Sequence, residues 1–356
     1  LARGFFFKST CMKVDFIIIG QGIAGTSFAY ELLRHNKSFI IIDRNDKVTS
    51  SKVALGVYNP LVLKWFSKVW NIDTQLAQFY PFYDSFSKLL NKKIVFDIGI
   101  YKYLDNSYQQ NNWMVKSGNF NKMKYMSSNL LNVNNSNLNH SEFYGLIHHA
   151  GRIDISSILT LFYDYCIKNN FFLEENFSYS DLEIGLDYVK YKGIESKNII
   201  FCEGYRALNN PFFNLSIIPT KGEVLTIFSK DLKLNKIIHS GGLIVPLGDH
   251  KYAIGSTYIY NNQSYHVTNS GKEKLTSILN STLNCNYQII SYDAAIRPAT
   301  KDRKAILGRH SKHKNMYILN GLGSRGVLLA PYLSRSLINS IYSSGEIDEA
   351  VDIYRN

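Results

Sequence analysis

The segment that most constrains this chain lies near its start, where the apolar run VDFIII at 14–19 leads into GQGIAG at 20–25. The run predicts a buried β-strand, and the glycine pattern predicts a tight turn that opens a helix over 23–36. Residues 39–43, FIIID, predict a second buried strand that ends in a carboxylate. A strand, glycine turn, helix and strand within about thirty residues are typical of a dinucleotide-binding unit, which predicts FAD or NAD as cofactor.

Each residue of the glycine turn has a physical role in this interpretation. Gly20 permits the tight turn, Gly22 lets a pyrophosphate approach the backbone, and Gly25 lets the helix pack closely on the strand. Ile23 and Ala24 are the first two residues of the predicted helix, where free N–H groups and the positive end of the helix dipole attract phosphate. These five residues are therefore predicted to hold the pyrophosphate.

The carboxylate that ends the second strand is predicted to bind the ribose. Asp43 lies 18 residues after Gly25 (43 minus 25), close to the separation of about 20 residues that such an acid normally has. A carboxylate there disfavours a 2′-phosphate, although the neighbouring Arg44, itself a candidate cofactor contact, makes that preference weaker.

Two segments in the middle of the chain favour FAD over NAD. The small-residue loop SSKVALGVYNP at 50–60 is expected to run along the pyrophosphate toward a flavin, with an ordinary polar loop as the alternative. The segment NIIFCEG at 198–204 predicts a buried strand that packs beside the first one. The residues of these segments predicted to contact the cofactor are Ser50, Ser51, Ala54, Gly56, Cys202 and Gly204.

A third segment lies near the end of the chain, where MYILN at 316–320 predicts a strand followed by a second glycine-rich turn. Leu329, Leu333 and Leu337 then recur at spacing four and predict a helix. The N-terminus of this helix is expected to face the flavin and stabilise the negative charge of the reduced ring, unless the turn is purely structural. The turn residues predicted to bind the cofactor are Gly321, Gly323, Ser324, Arg325, Gly326 and Val327.

Composition excludes several classes of protein. The 356 residues can bury a core for one large domain or two interleaved ones. No apolar run approaches the ~18 residues of a membrane span. The four cysteines are widely spaced, which argues against a disulfide framework or a metal site and predicts a cytoplasmic location. Residues 1–11 are expected to form a disordered leader.

The stretch IRPATKDR at 296–303, together with the turn GLGSRG at 321–326, resembles the D-amino-acid oxidase family of FAD enzymes. This family includes glycine oxidase, sarcosine oxidase and the oxidase domain of a bifunctional tRNA-modifying enzyme. The first stretch resembles glycine oxidase, and the second, which is followed by Ala-Pro, resembles the tRNA enzyme. The hairpin sequence GDHKYAIGSTY at 248–258 also fits the family, and the resemblance covers nearly the whole chain from Met12.

The resemblance implies an α/β architecture, with a Rossmann-type FAD-binding domain interleaved with a smaller α+β substrate domain. The FAD-binding domain would comprise residues 12–85, 145–215 and 292–356. The substrate domain would comprise residues 86–144 and 216–291.

The resemblance also implies oxidation of an amino acid or secondary amine by hydride transfer to flavin, giving an imine that hydrolyses. Arg297 is expected to pair with the substrate carboxylate, which its bidentate fork suits. Arg325 is expected to bind substrate or to compensate charge on the reduced ring. Tyr258 is a candidate for the pocket lining, and Lys221 for the pocket wall or for assisting oxygen. Structural ion pairs and an ordinary tyrosine are the alternatives.

Two departures from the family pattern refine this expectation. Leu243, Ile244 and Val245 stand where glycine oxidase relatives carry an aromatic hydroxyl near the carboxylate, which weakens the case for a glycine-sized substrate. No cysteine lies at 297–302 or in the second glycine turn, so FAD is expected to be bound non-covalently.

Two other functions remain open at the sequence level. The first is trimming of a carboxymethylaminomethyl group on a tRNA wobble base, which the net charge of +12 favours. The even spread of lysine along the chain argues against it. The second is a flavin-binding electron-transfer protein without amine chemistry. The expected partners are a small amine and oxygen or another electron acceptor, with tRNA as the alternative. His148 and His149 are predicted to be surface residues.

Overall fold

Two eight-stranded β-sheets carry the fold of the computed structural model, which describes residues 12–355. The expected leader at 1–11 lies outside the described residues. The strands of the first sheet are β1 (Met12–Ile19), β2 (Phe39–Asp43), β10 (Phe172–Glu174), β11 (Leu182–Ile184), β12 (Val189–Tyr191), β13 (Ile194–Phe201), β20 (Ile306–Arg309) and β21 (Met316–Asn320). The strands of the second sheet are β7 (Ile100–Tyr103), β8 (Tyr144–Ile147), β14 (Ile217–Phe228), β15 (Ile237–Ser240), β16 (Gly242–Gly248), β17 (Lys251–Gly255), β18 (Ile259–Tyr260) and β19 (Gln288–Thr300).

Short strands and helices complete the described structure. The short strands are β3 (Val57–Tyr58), β4 (Leu61–Val62), β5 (Ser67–Lys68), β6 (Val95–Phe96) and β9 (Gly151–Ile153). The helices are α1 (Ile23–Arg34), α2 (Ser50–Val53), α3 (Ile72–Leu89), α4 (Ser107–Ser117), α5 (Ile155–Lys168), α6 (Asn269–Thr282) and α7 (Gly326–Tyr342), with short 3-10 turns at Tyr179–Asp181 and Gly204–Asn209. Among residues 12–355, no helix is both long enough and apolar enough to cross a membrane.

The first sheet is parallel at its centre, in the order β10–β2–β1–β13–β21. β13 lies beside β1, with Ile17 opposite Ile199, which confirms the predicted strand. Phe16 and Ile18 enter the core that contains α1 and α7, whereas Ile17 and Ile19 enter the core on the other face. Both faces are covered, which explains why the first strand is apolar over nearly its whole length.

The two helices that follow the glycine turns pack against each other. α1 begins at the predicted residue but ends at Arg34, two residues early. Asn36 adopts a φ of +52°, in the left-handed region, where a right-handed helix cannot continue. α7 confirms the helix predicted after the second turn, and Pro331 lies within its first two turns.

The second sheet is organised around a long antiparallel pair. β14 and β19 are paired from Ile217 opposite Thr300 to Phe228 opposite Gln288, and α6 covers one face of the sheet. The predicted α/β class is thereby confirmed. The domain boundaries stay a prediction; positions 145 and 292 both fall inside strands of this sheet, β8 and β19.

Candidate active site

A cavity of about 640 Å³ lies where the carboxyl ends of the first sheet's parallel strands meet the second sheet. We call the part lined by the ends of β1, β2, β10 and β13 the nucleotide end. The part lined by β14, β16, β19 and the loop after β17 is the arginine end. The four carboxylates in the lining all follow strands of the first sheet: Asp43, Asp46, Glu175 and Glu203. Ligands of open α/β sheets bind at this edge.

The first glycine turn is built so that α1 points its N-terminus into the cavity. Gly20 has a φ of +101°, which favours glycine. A Cβ atom on Gly25 would lie 1.9 Å from the carbonyl oxygen of Gly20, so only glycine allows the helix to pack this closely. Gly22, Ile23 and Ala24 line the cavity, and the N-cap residue Gly22 provides no side-chain cap for α1. The helix end is therefore available to an anion.

The predicted small-residue loop contains α2, a single helical turn that lies against the start of α1. The Ser51 hydroxyl accepts the N–H of Ile23 at 3.0 Å. The Thr49 side chain accepts the N–H of Lys52 at 3.2 Å and caps α2. Ser51 therefore joins this loop to the phosphate-binding turn.

Asp43 is held by backbone amides at the nucleotide end. Its two carboxylate oxygens accept the N–H groups of Gln21 at 2.7 Å and Asn45 at 2.6 Å. Burial raises the pKa of Asp43, and the two amide hydrogen bonds oppose that effect. The neighbouring Arg44 donates to Asp46 at 2.8 Å, and Arg206 binds the same carboxylate at 2.7 Å. Asp46 therefore offsets much of the positive charge beside Asp43.

The second glycine turn lies against the first one. A Cβ atom on Gly326 would lie 2.9 Å from a methyl carbon of Ile23. The N–H of Gly323 donates to the carbonyl of Pro298 on β19 at 3.2 Å. The N-terminus of α7, which also lacks a side-chain cap among the described residues, is thus fixed between α1 and the arginine end.

Arg297 on β19 is partly buried at the arginine end. Its guanidinium donates to the Ser256 hydroxyl at 2.6 Å and to the Thr257 carbonyl at 3.2 Å. The Tyr258 ring lies over it, with its centroid 4.7 Å from the guanidinium carbon. Burial lowers the pKa of Arg297. No ion pair found within residues 12–355 includes Arg297.

Gly222 on the neighbouring strand makes room for this guanidinium. A Cβ atom at that position would lie 1.9 Å from an Nη atom of Arg297. Gly222 and Val224 line the cavity, whereas the alternating residues Lys221 and Glu223 point to the other face of β14. Glycine therefore allows Arg297 to lie flat against the sheet.

The sequence model of the family described as FAD dependent oxidoreductase, DAO, matches residues 15–339. The chain belongs to this family. Glycine oxidase of Bacillus subtilis is 29% identical over 145 residues, and the match spans 40% of this chain and 38% of that relative. The structure of glycine oxidase from Geobacillus kaustophilus is similar, with a TM-score of 0.82 and 16% identity over 97% of this chain and 99% of that one. For L-proline dehydrogenase from P. horikoshii the TM-score is 0.78, with 16% identity over 97% and 98% of the two chains.

The cavity of this FAD-dependent oxidoreductase brings together most of the residues predicted to form the site. Those that line it are Gly20, Gly22, Ile23, Ala24, Asp43, Arg44, Ser50, Ser51, Ala54, Gly56, Cys202, Gly204, Gly323, Ser324, Gly326, Val327, Tyr258 and Arg297. Their roles stay predictions. Gly25 and Gly321 pack behind the lining. Arg325 lies between Ser324 and Gly326, which both line the cavity. Burial lowers the pKa of Arg325, and the nearby Tyr258 opposes that effect.

Lys221 and the two histidines lie elsewhere. Lys221 forms a buried ion pair with Glu223 at 3.0 Å, and both side chains are almost fully buried. Glu223 also accepts from the Tyr292 hydroxyl at 2.6 Å. The ammonium of Lys221 is thus occupied on the face of β14 away from the cavity. His148 and His149 are exposed, which confirms the prediction.

Sequence reasoning missed several residues of the lining. Gly222 and Ser256 shape the arginine end. Elsewhere in the lining, the Tyr265 hydroxyl donates to the Tyr205 hydroxyl at 3.1 Å. Glu203 accepts from the Asn210 side chain at 2.8 Å, and burial raises its pKa. Strand alternation was the one available signal for Gly222, because it separates this residue from Lys221 and Glu223.

Proposed function

We propose that this enzyme binds FAD non-covalently and oxidises a small amine that carries a carboxylate, such as an amino acid or a secondary amine. The single observation that carries the proposal is Arg297, a partly buried cation with no carboxylate partner among the described residues. A buried charge without a counter-ion is costly, so its retention favours an anionic ligand at that position.

The residues at the nucleotide end fit FAD. The N-termini of α1 and α7, whose N-cap residues make no side-chain hydrogen bond, suit the pyrophosphate and the flavin ring, and Asp43 suits the ribose. Bound FAD supplies the acceptor for the two electrons that leave the amine. No cysteine stands among the residues that line the arginine end, which supports non-covalent binding.

The protein's own contribution would be to orient the amine and to exclude water. Arg297 would fix the substrate carboxylate with two parallel hydrogen bonds. Val224 and Leu243 give the arginine end an apolar wall, which lowers the local dielectric constant and strengthens that pair. Tyr258, which is 52% exposed, would cover the bound carboxylate from the solvent side. Arg325 would contribute a second positive charge for substrate or for the reduced ring.

An anaerobic amine panel tests this proposal. Glycine, sarcosine, proline and larger amino acids are each compared with the amine that lacks the carboxylate, and loss of oxidised-flavin absorbance is followed. We expect the carboxylated member of at least one pair to reduce the flavin much faster. Equal rates within every pair would show that Arg297 does not bind a substrate carboxylate. No reduction by any amine would favour the electron-transfer alternative.

Two further measurements address the finer parts of the proposal. Acid precipitation should release the flavin into the supernatant, since a covalent link would retain it in the pellet. Salt-dependent retention of tRNA would favour the tRNA-trimming alternative, because phosphate contacts weaken steeply as salt is raised.

A further inference from the structure

The segment around α4 exposes large apolar side chains and takes no part in the cavity lining. Tyr108 is 79% exposed, Val115 75%, Phe120 89% and Met123 55%. Tyr108 and Val115 are seven residues apart and therefore share one face of the helix, whereas Trp113 is buried on the inner face. We call Tyr108, Met114, Val115, Phe120 and Met123 the α4 face.

The hairpin of β4 and β5 extends this surface. The Phe66 ring packs edge-on against Trp113, with ring centroids 5.2 Å apart, and so joins the hairpin to the inner side of α4. Trp65, at the tip of the hairpin, is 61% exposed. Several large apolar side chains exposed on neighbouring segments indicate a site of interaction.

The charged side chains within the α4 segment itself all have one sign. Residues 106–141 contain no Asp or Glu. Lys116 and Lys122 flank the turn after α4, where the N–H of Asn119 donates to the carbonyl of Lys116 at 3.3 Å and the N–H of Lys122 donates to the carbonyl of Asn119 at 2.8 Å. No ion pair found within residues 12–355 includes Lys64, Lys116 or Lys122, whereas Lys68 and Lys124 both bind Asp73.

We propose that the α4 face docks on an anionic lipid surface. Apolar side chains inserted at the acyl boundary, with lysines around them for the headgroups, are the pattern of interfacial binding. Only two of the five side chains are aromatic, which disfavours a single-stranded nucleic acid that would stack its bases. A second copy of the chain meeting this face symmetrically would place lysine against lysine.

Vesicle co-sedimentation of the flavin-loaded full chain tests the proposal. We expect binding to vesicles of phosphatidylcholine with phosphatidylglycerol, little binding to phosphatidylcholine alone, and weaker binding as salt is raised. Phe120→Asp should lower the partition coefficient about tenfold or more, and Val115→Asp should act in the same direction. The double change Lys116→Gln and Lys122→Gln should lower it about tenfold on anionic vesicles.

Leu186→Asp is the matched control, because Leu186 is 88% exposed but lies beside Asp187 on the turn after β11. It should leave vesicle binding unchanged, and flavin content and thermal unfolding check that each variant folds. Four results would overturn the proposal: equal binding to both vesicle types, an equal loss with Leu186→Asp, a dimer that Phe120→Asp dissociates, or tRNA retention that Phe120→Asp abolishes while vesicles do not bind.

Discussion

The nucleotide end and the arginine end of the cavity are built over very different distances along the chain. At the nucleotide end, Asp43 accepts the N–H of Gln21, 22 residues away within one strand–helix–strand unit. At the arginine end, Arg297 donates to Ser256 41 residues away, and its guanidinium lies against Gly222 on another strand. The glycine turn and Asp43 of the nucleotide end are specified by a local motif, whereas the arginine end depends on the pairing of β14 with β19.

This difference predicts that substitutions at the two ends will separate cofactor binding from amine oxidation. Changes in the first glycine turn should remove FAD and hence all activity. Changes at the arginine end should leave FAD bound and affect only amines that carry a carboxylate. A substitution that affects both functions equally would show that the two ends are not independent.

The largest effect is expected for Gly25→Ala. The added Cβ atom would lie 1.9 Å from the carbonyl oxygen of Gly20 and would force α1 away from β1. We expect purified protein with almost no flavin and a lower melting temperature, measured by absorbance and thermal unfolding. Gly118→Ala is the control, because its added Cβ atom has no neighbour closer than 3.6 Å. A Gly25→Ala protein that retains its full content of bound flavin would contradict the role of the turn.

Arg297→Leu should have the next largest effect, and only on the amine. Loss of a buried bidentate partner should lower kcat/KM for a carboxylated amine about 100- to 1,000-fold while flavin content stays normal. Anaerobic stopped-flow reduction measures this. Arg335→Leu, at an exposed position on α7, should behave like the unmodified protein. If flavin is lost together with activity, Arg297 supports the cofactor and not the substrate.

Gly222→Ala should reproduce part of that loss by displacing Arg297. The methyl group would occupy the space of the guanidinium, so KM for carboxylated amines should rise about tenfold or more, with a smaller change in kcat. Combined with Arg297→Leu it should cause little further loss, because the two changes act through one contact. Additive effects in this double-mutant cycle would show that Gly222 affects activity independently of Arg297.

Asp43→Asn should have the smallest effect, on FAD affinity alone. Loss of a charged acceptor for the ribose should raise the FAD dissociation constant about tenfold, measured by flavin fluorescence titration. Burial raises the pKa of Asp43, so its carboxylate takes up a proton at a higher pH than an exposed aspartate. FAD should therefore bind more weakly as the pH falls through that raised pKa. The Asp43→Asn variant should lack this pH dependence. If the variant and the unmodified protein show the same pH profile, Asp43 is not the group whose protonation weakens FAD binding.

The local parts of this site were open to prediction because their signals are close in sequence. The turn from Gly20 to Gly25, α1 and the carboxylate after β2 all lie within one unit with its own hydrophobic pattern. The end of α1 was predicted two residues too late, because the left-handed backbone of Asn36 leaves no clear mark in the hydrophobic periodicity. Lys221 shows a different limit. Its position in the family pattern suggested a pocket role, but strand alternation places its side chain on the other face of β14, beside Glu223.

The amino-acid sequence by itself determined the parallel first sheet, its two helix N-termini and the membership of this family, since buried strands and glycine turns are encoded by residues within a few positions of one another. Only the tertiary structure decided that Gly222 lies beneath Arg297, that Ser256 and Tyr258 surround its guanidinium, and that Lys221 faces away. These contacts depend on the register between β14 and β19, which arises from the packing of both strands in a whole sheet.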